Sequence, residues 1–130
     1  MIRFLASATS AAVLLSTATV SLAATPARAL PQFQCMSLAH LWDGQGPMPP
    51  PVAEFASPSP DAPQVGIAMS TIVVDRPMSS QSGRVRVIRP DGREAWIDSS
   101  QIAPWHVVSN PNARCAVVQM MDGRIGTISQ

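Results

Sequence analysis

The sequence predicts a mainly β protein: a body of short strands with a short N-terminal helix before it and a C-terminal β-hairpin extension after it. Three observations predict this. Val85 and Val87 alternate with Arg84 and Arg86, Pro90-Asp91-Gly92 intervenes, and Arg93-Glu94-Ala95-Trp96-Ile97 alternates again. Period-two alternation on either side of such a turn marks a hairpin, because proline presets φ and glycine takes the left-handed position. With Arg89 facing Arg93, Val87 pairs with Ala95 and Val85 with Ile97 on one face, while Arg86 lies beside Trp96 on the other. The second observation is the β-branched run Thr71-Ile72-Val73-Val74-Asp75. The third is a later pair of apolar runs, Cys115-Ala116-Val117-Val118 and Arg124-Ile125-Gly126-Thr127-Ile128, around an Asp122-Gly123 turn.

Taken in order, residues 1–29 read as a secretory signal peptide. Arg3 supplies the positive start, Ala11 to about Leu22 an apolar stretch interrupted by Ser and Thr, and Ala27-Arg28-Ala29 or the earlier Ser21-Leu22-Ala23 a small-residue cleavage site. The stretch is too short and hydroxyl-rich for a membrane span, and Phe33-Gln34 before Cys35 does not suit a lipoprotein. Export to a periplasmic or secreted location follows, with no membrane attachment after cleavage. Residues 30–45 predict a short helix, since Leu38, Leu41 and Trp42 recur at helical spacing. Residues 46–63 are proline-dense and predict a stiff linker of extended conformation. Pro47-x-x-Pro50 leaves open a return onto the chain's own body.

The folded body is expected from Gln64. Val65, Ile67 and Met69 alternate, Arg76-Pro77 ends the β-branched run, and Gly83 marks a bend leading into Arg84. After Ile97, Asp98-Ser99-Ser100 predicts a single helical turn capped by the Asp98 side chain, and Ile102 returns to the core. Asn110-Pro111-Asn112 is a turn before the extension at residues 107–130.

Ala95-Trp96-Ile97, the helical turn and Ile102-Ala103-Pro104-Trp105 resemble the distal hairpin, single-turn helix and last strand of Src-homology-3-like (SH3-like) barrels, the branch found in bacterial cell-envelope proteins above all. The resemblance covers residues 64–106 and implies a small SH3-like barrel concerned with cell-wall targeting. In eukaryotic members the peptide groove uses stacked aromatics and a proline. The matching positions here are Arg84, Asp98 and Gln101, which departs from that pattern and leaves little to grip a polyproline ligand.

Every one of the nine basic residues is Arg, and without residues 1–29 seven Arg stand against eight acids. A nucleic-acid footprint is therefore absent. Cys35 and Cys115 are the only cysteines, and in an exported chain they predict a disulfide closing a loop of about eighty residues. The competing Cys2His2 metal site with His40 and His106 has spacings foreign to zinc frameworks. A disulfide also removes both thiol nucleophiles. Asp91, Glu94 and Asp98 are the carboxylates that a glycan hydrolase would need, but a turn and a cap explain Asp91 and Asp98. The reading is thus a non-catalytic binding or assembly module that needs no metal or cofactor. Its partner is an envelope protein or peptidoglycan. Arg84, Arg86 and Trp96 are the candidate binding residues, because an Arg–aromatic face receives a carboxylate or a sugar ring. The alternatives are an accessory subunit of an envelope complex and a small cell-wall hydrolase.

Overall fold

The computed structural model describes residues 11–17, 25–107 and 109–130. Residues 11–17 are exposed and without regular structure; the rest of the predicted signal before Thr25 lies outside the described residues. Among those described, no helix is long and apolar enough to cross a membrane.

The strands are β1 (Pro26–Ala29), β2 (Phe33–Leu38), β3 (Ala53–Phe55), β4 (Gln64–Ile67), β5 (Thr71–Asp75), β6 (Ser80–Gln81), β7 (Arg84–Ile88), β8 (Glu94–Asp98), β9 (Ile102–Pro104), β10 (Cys115–Met120) and β11 (Ile125–Ser129), with one 3-10 turn at Ser99–Gln101. They form two antiparallel sheets. The larger runs β4-β3-β8-β7-β5-β2-β9, with β6 beside β7, and the smaller runs β1-β10-β11. Among the described residues no strand pairs with the outer margins of β4 and β9 at the two ends of the larger sheet, so the expected barrel is not closed.

The hairpin has the register that its alternation dictates: Val85 faces Ile97, Arg86 faces Trp96, Val87 faces Ala95. Arg89 N–H donates to the Arg93 carbonyl across the turn, where Gly92 has φ of 85°. Asp122-Gly123 repeats the device in the β10–β11 hairpin, with Gly123 at φ 88°. Before β7, Ser82 and Gly83 both have positive φ, giving a tight β6–β7 turn.

Strand β5 explains why two layers exist. Ile72, Val73 and Val74 are all buried, which period-two alternation forbids unless both faces of the sheet are covered. Ile72 and Val74 pack with Val85, Val87, Ala95 and Ile97 in one core. Val73 packs on the opposite side with Leu30, Cys35, Ile88 and Val117 in a second core beneath the C-terminal hairpin. The Cys35–Cys115 disulfide crosses that second core. The hairpin therefore covers a face of the sheet; it does not extend its edge.

Three expectations need correction. The predicted helix in residues 30–45 is strand β2 up to Leu38, paired with β5 on one side and β9 on the other. Two ladders of main-chain hydrogen bonds outweigh the helical spacing of Leu38, Leu41 and Trp42, which alone would support at most two turns. The proline-rich segment is more than a spacer, because its proline-free stretch from Val52 to Phe55 holds β3 against β8 and sends Val52 into the first core. The alternation of Val65, Ile67 and Met69 marks a strand only as far as Ile67, with Met69 beyond the end of β4. The three residues are 41%, 58% and 67% exposed and so stand outside the core.

Because the disulfide spans a sequence separation of 80, chain-entropy reasoning assigns it about 4–5 kcal/mol. A Cys35→Ala/Cys115→Ala variant is expected to lose roughly that much in denaturant unfolding. Amide exchange should rise first in β10 and β11 while β7 and β8 stay protected.

Candidate functional site

The three residues expected to form a receiving face share a neighbourhood but are engaged internally. Arg84 is buried at 8% exposure. Its Nε donates to Asp98 Oδ1 at 3.1 Å and its Nη1 to the carbonyls of Ser57 and Ser59 at 3.2 and 2.6 Å. Its guanidinium carbon stands 3.7 Å from the Phe55 ring centroid. Arg86 Nη1 donates to Asp75 Oδ1 and its Nε to Glu94 Oε2, both at 2.8 Å. Trp96 is buried and lies opposite Phe55 of β3 as well as Arg86 of β7. The proline-rich segment thus caps this face: Ser57-Pro58-Ser59 supplies carbonyls to a guanidinium that would otherwise be a buried, half-satisfied charge.

The carboxylates considered for hydrolysis are likewise taken. Asp98 makes no capping bond to the 3-10 turn, contrary to expectation, because it accepts from Arg84. Glu94 pairs with Arg86, and Asp91 accepts the Arg93 N–H within the turn. Both cysteine sulfurs are bonded to each other. His106 Nδ1 lies 3.0 Å from the Pro104 carbonyl and His40 is exposed.

An open site lies elsewhere, between the layers. A cleft of about 510 Å³ separates the larger sheet from the C-terminal hairpin, within the range of small-molecule and peptide side-chain sites. Its apolar walls include Met69, Val73, Ile88, Met120 and Ile125, and the unbranched methionines can repack around an entering group. Its charged lining residues are Glu54, Arg89, Asp122 and Arg124. Glu54 comes from β3, where its cross-strand partner is Gly66. A Cβ at position 66 would sit 3.1 Å from Arg89 Nη2, so glycine leaves room for the guanidinium beside the carboxylate.

Arg89 Nε approaches Glu54 Oε2 to 3.2 Å. The approach is off-line for a hydrogen bond, and this enclosed oxygen has no donor among the described residues. Distance makes the contact an ion pair; direction leaves the oxygen unsatisfied. Burial pushes the Glu54 carboxyl above its ordinary 4.5, with Arg89 opposing and Asp91 adding to the shift. A smaller second cleft of about 400 Å³ lies beside Trp42, Trp105 and His106.

Sequence reasoning passed over Glu54 and Arg89 because thirty-odd positions and a proline-dense stretch separate them. The readable signal was the Val52-Ala53-Glu54-Phe55 run, which is free of proline within that stretch. No protein-family model matches the chain, and neither a curated protein sequence nor a solved structure matches it.

Two predictions follow from these environments. Arg84→Ala strands Asp98 and two carbonyls and is expected to cost about 2–4 kcal/mol in denaturant unfolding, with Arg84→Lys recovering little because a point charge cannot reproduce the planar fork. Arg86→Ala, at a more exposed pair, should cost about 1 kcal/mol or less. For Glu54, a folded pKa above the unfolded one means a contribution to stability fully present below the unfolded value and lost as pH rises through the folded value. Glu54→Gln removes that titration, so its melting temperature should fall less than the parent's between about pH 4 and about pH 8.

Proposed function

We propose that the protein is an exported, non-catalytic binding module of the bacterial cell envelope, built on an SH3-like plan, with peptidoglycan or an envelope protein as partner. The cleft between the two layers carries this reading: its walls are largely apolar, with the charged side chains of Glu54, Arg89, Asp122 and Arg124 among its lining. The strand path gives support to the SH3-like plan, since β2, β5, β7 and β8 follow one another and β9 returns beside β2 after the 3-10 turn. The disulfide is compatible with an oxidising compartment such as the periplasm or the exterior. The second reading, an accessory subunit, draws on the outer margin of β4, where Val65, Ile67 and, just past the strand, Met69 present an apolar strip to a larger partner.

Binding to purified peptidoglycan, measured by pull-down at low and high salt, tests the module reading. Thr127→Arg at the cleft wall should lower capture about tenfold or more, while Arg86→Ala leaves it unchanged. Retained capture with the cleft blocked, or turnover of wall fragments by the parent protein, would overturn the reading. No wall capture by the parent, with a co-purifying envelope protein that is lost on Ile67→Arg, would favour the subunit.

A further inference from the structure

We propose that the cleft takes a lysine-like side chain of a peptide, an aliphatic stem ending in a primary ammonium group that completes the donor set of Glu54. This rests on the cleft's being the binding site. Four observations converge on it. The Glu54 side chain is only 10% exposed, so its carboxylate is held away from bulk water. Its Oε2 has no hydrogen-bond donor among the described residues, whereas nearly all buried polar atoms in folded proteins have one. Aliphatic side chains line the same cleft and suit a methylene stem. The nearby cation, Arg89, contributes its Nε at 3.2 Å without a directed bond, and an ammonium brings three rotatable donors that adjust to an acceptor.

The alternative polarity is less well served. Arg89 and Arg124 also line the cleft, but Arg89 is paired with Glu54. A carboxylate ligand would set a second negative charge beside the enclosed Glu54 oxygen and bring it no donor. Like charges at close range are unfavourable. A wholly apolar ligand would fill the walls but leave the carboxylate as it is. Entry of the ammonium displaces flexible side chains of the cleft lining, because Oε2 is closed to solvent in the unliganded protein. Met69 and Arg89 both line the cleft, and their long side chains have the rotamer freedom to move.

The probes are three capped peptides, acetyl-Ala-Xaa-Ala-amide, with lysine, Nε-acetyl-lysine or norleucine at the centre. Titrated into the disulfide-bonded protein at neutral pH and followed by amide chemical shifts, the lysine peptide should perturb Thr127, Ile88 and Met69. It should bind about tenfold or more tightly than the other two. Glu54→Gln should remove the preference while leaving the norleucine peptide's weak binding intact. A second readout separates a ligand contact from a purely structural role of Glu54. The carboxyl carbon of Glu54 should titrate at lower pH when the lysine peptide is bound, and should not move with norleucine, because only a bound cation favours the ionised form. Equal binding of the three peptides, no binding of any, or a preference surviving in Glu54→Gln would each overturn the inference. If wall capture is lost on Thr127→Arg yet indifferent to Glu54→Gln, the module reading stands and the amine specificity falls. If the lysine preference holds while cleft variants leave capture untouched, the reverse is true.

Discussion

The architecture depends on β5 being covered on both sides. A strand of Thr-Ile-Val-Val-Asp buries three consecutive residues only when apolar matter lies above and below the sheet. On one face Ile72 and Val74 share a core with Val85, Val87, Ala95 and Ile97 of the neighbouring strands β7 and β8, and Met36, Val52, Ala68 and Ile102 pack against it. The second layer comes from the far end of the chain, where Val117 and its neighbours meet Val73. Sequence distance makes that second closure entropically costly, and the Cys35–Cys115 bond offsets much of it by tying a core position of β2 to the start of β10. Without the second layer Val73 and Ile88 would face water. The cleft exists because the hairpin covers this face incompletely, leaving a space lined by residues of both layers.

Much of this was readable from residues alone, and the parts that were not share a cause. The Arg84–Ile97 hairpin, the Asp122-Gly123 turn and the sulfur pairing are written in local or near-unique signals: alternation, turn residues with required φ, and a lone pair of cysteines. Strand β2 was misread as helix because Leu38, Leu41 and Trp42 fall at helical spacing, while what holds β2 is pairing with β5 and β9, more than thirty and sixty positions away. Strand β3 was hidden by its proline-rich flanks. The open cleft was invisible for the same reason: Glu54, Arg89 and the β11 wall come from three distant segments.

The arginines show how charge pattern and role diverge. Arg84 and Arg86 alternate with core valines and read as a solvated face, which is correct for alternation and incomplete for environment. Once the Ser57–Ser59 turn folds over, Arg84 becomes an internal strut that organises the proline-rich segment through its two carbonyls and the Phe55 ring. Proline supports this arrangement, because it restricts the turn that must present those carbonyls.

Strand β1 carries a different consequence. Pro26–Ala29 lies along β10, with Thr25 and Leu30 closing the pairing at either end through the Met121 and Val117 main chains. The four residues are themselves exposed, so their contribution is to occupy a hydrogen-bonding margin and not to fill a core. A chain trimmed back to Leu30 would keep both hydrophobic layers yet bare the outer margin of β10, turning a finished three-stranded sheet into an adhesive two-stranded one. Whether Pro26–Ala29 is kept therefore decides whether that margin is closed within one chain or left open to be stitched, strand by strand, to another.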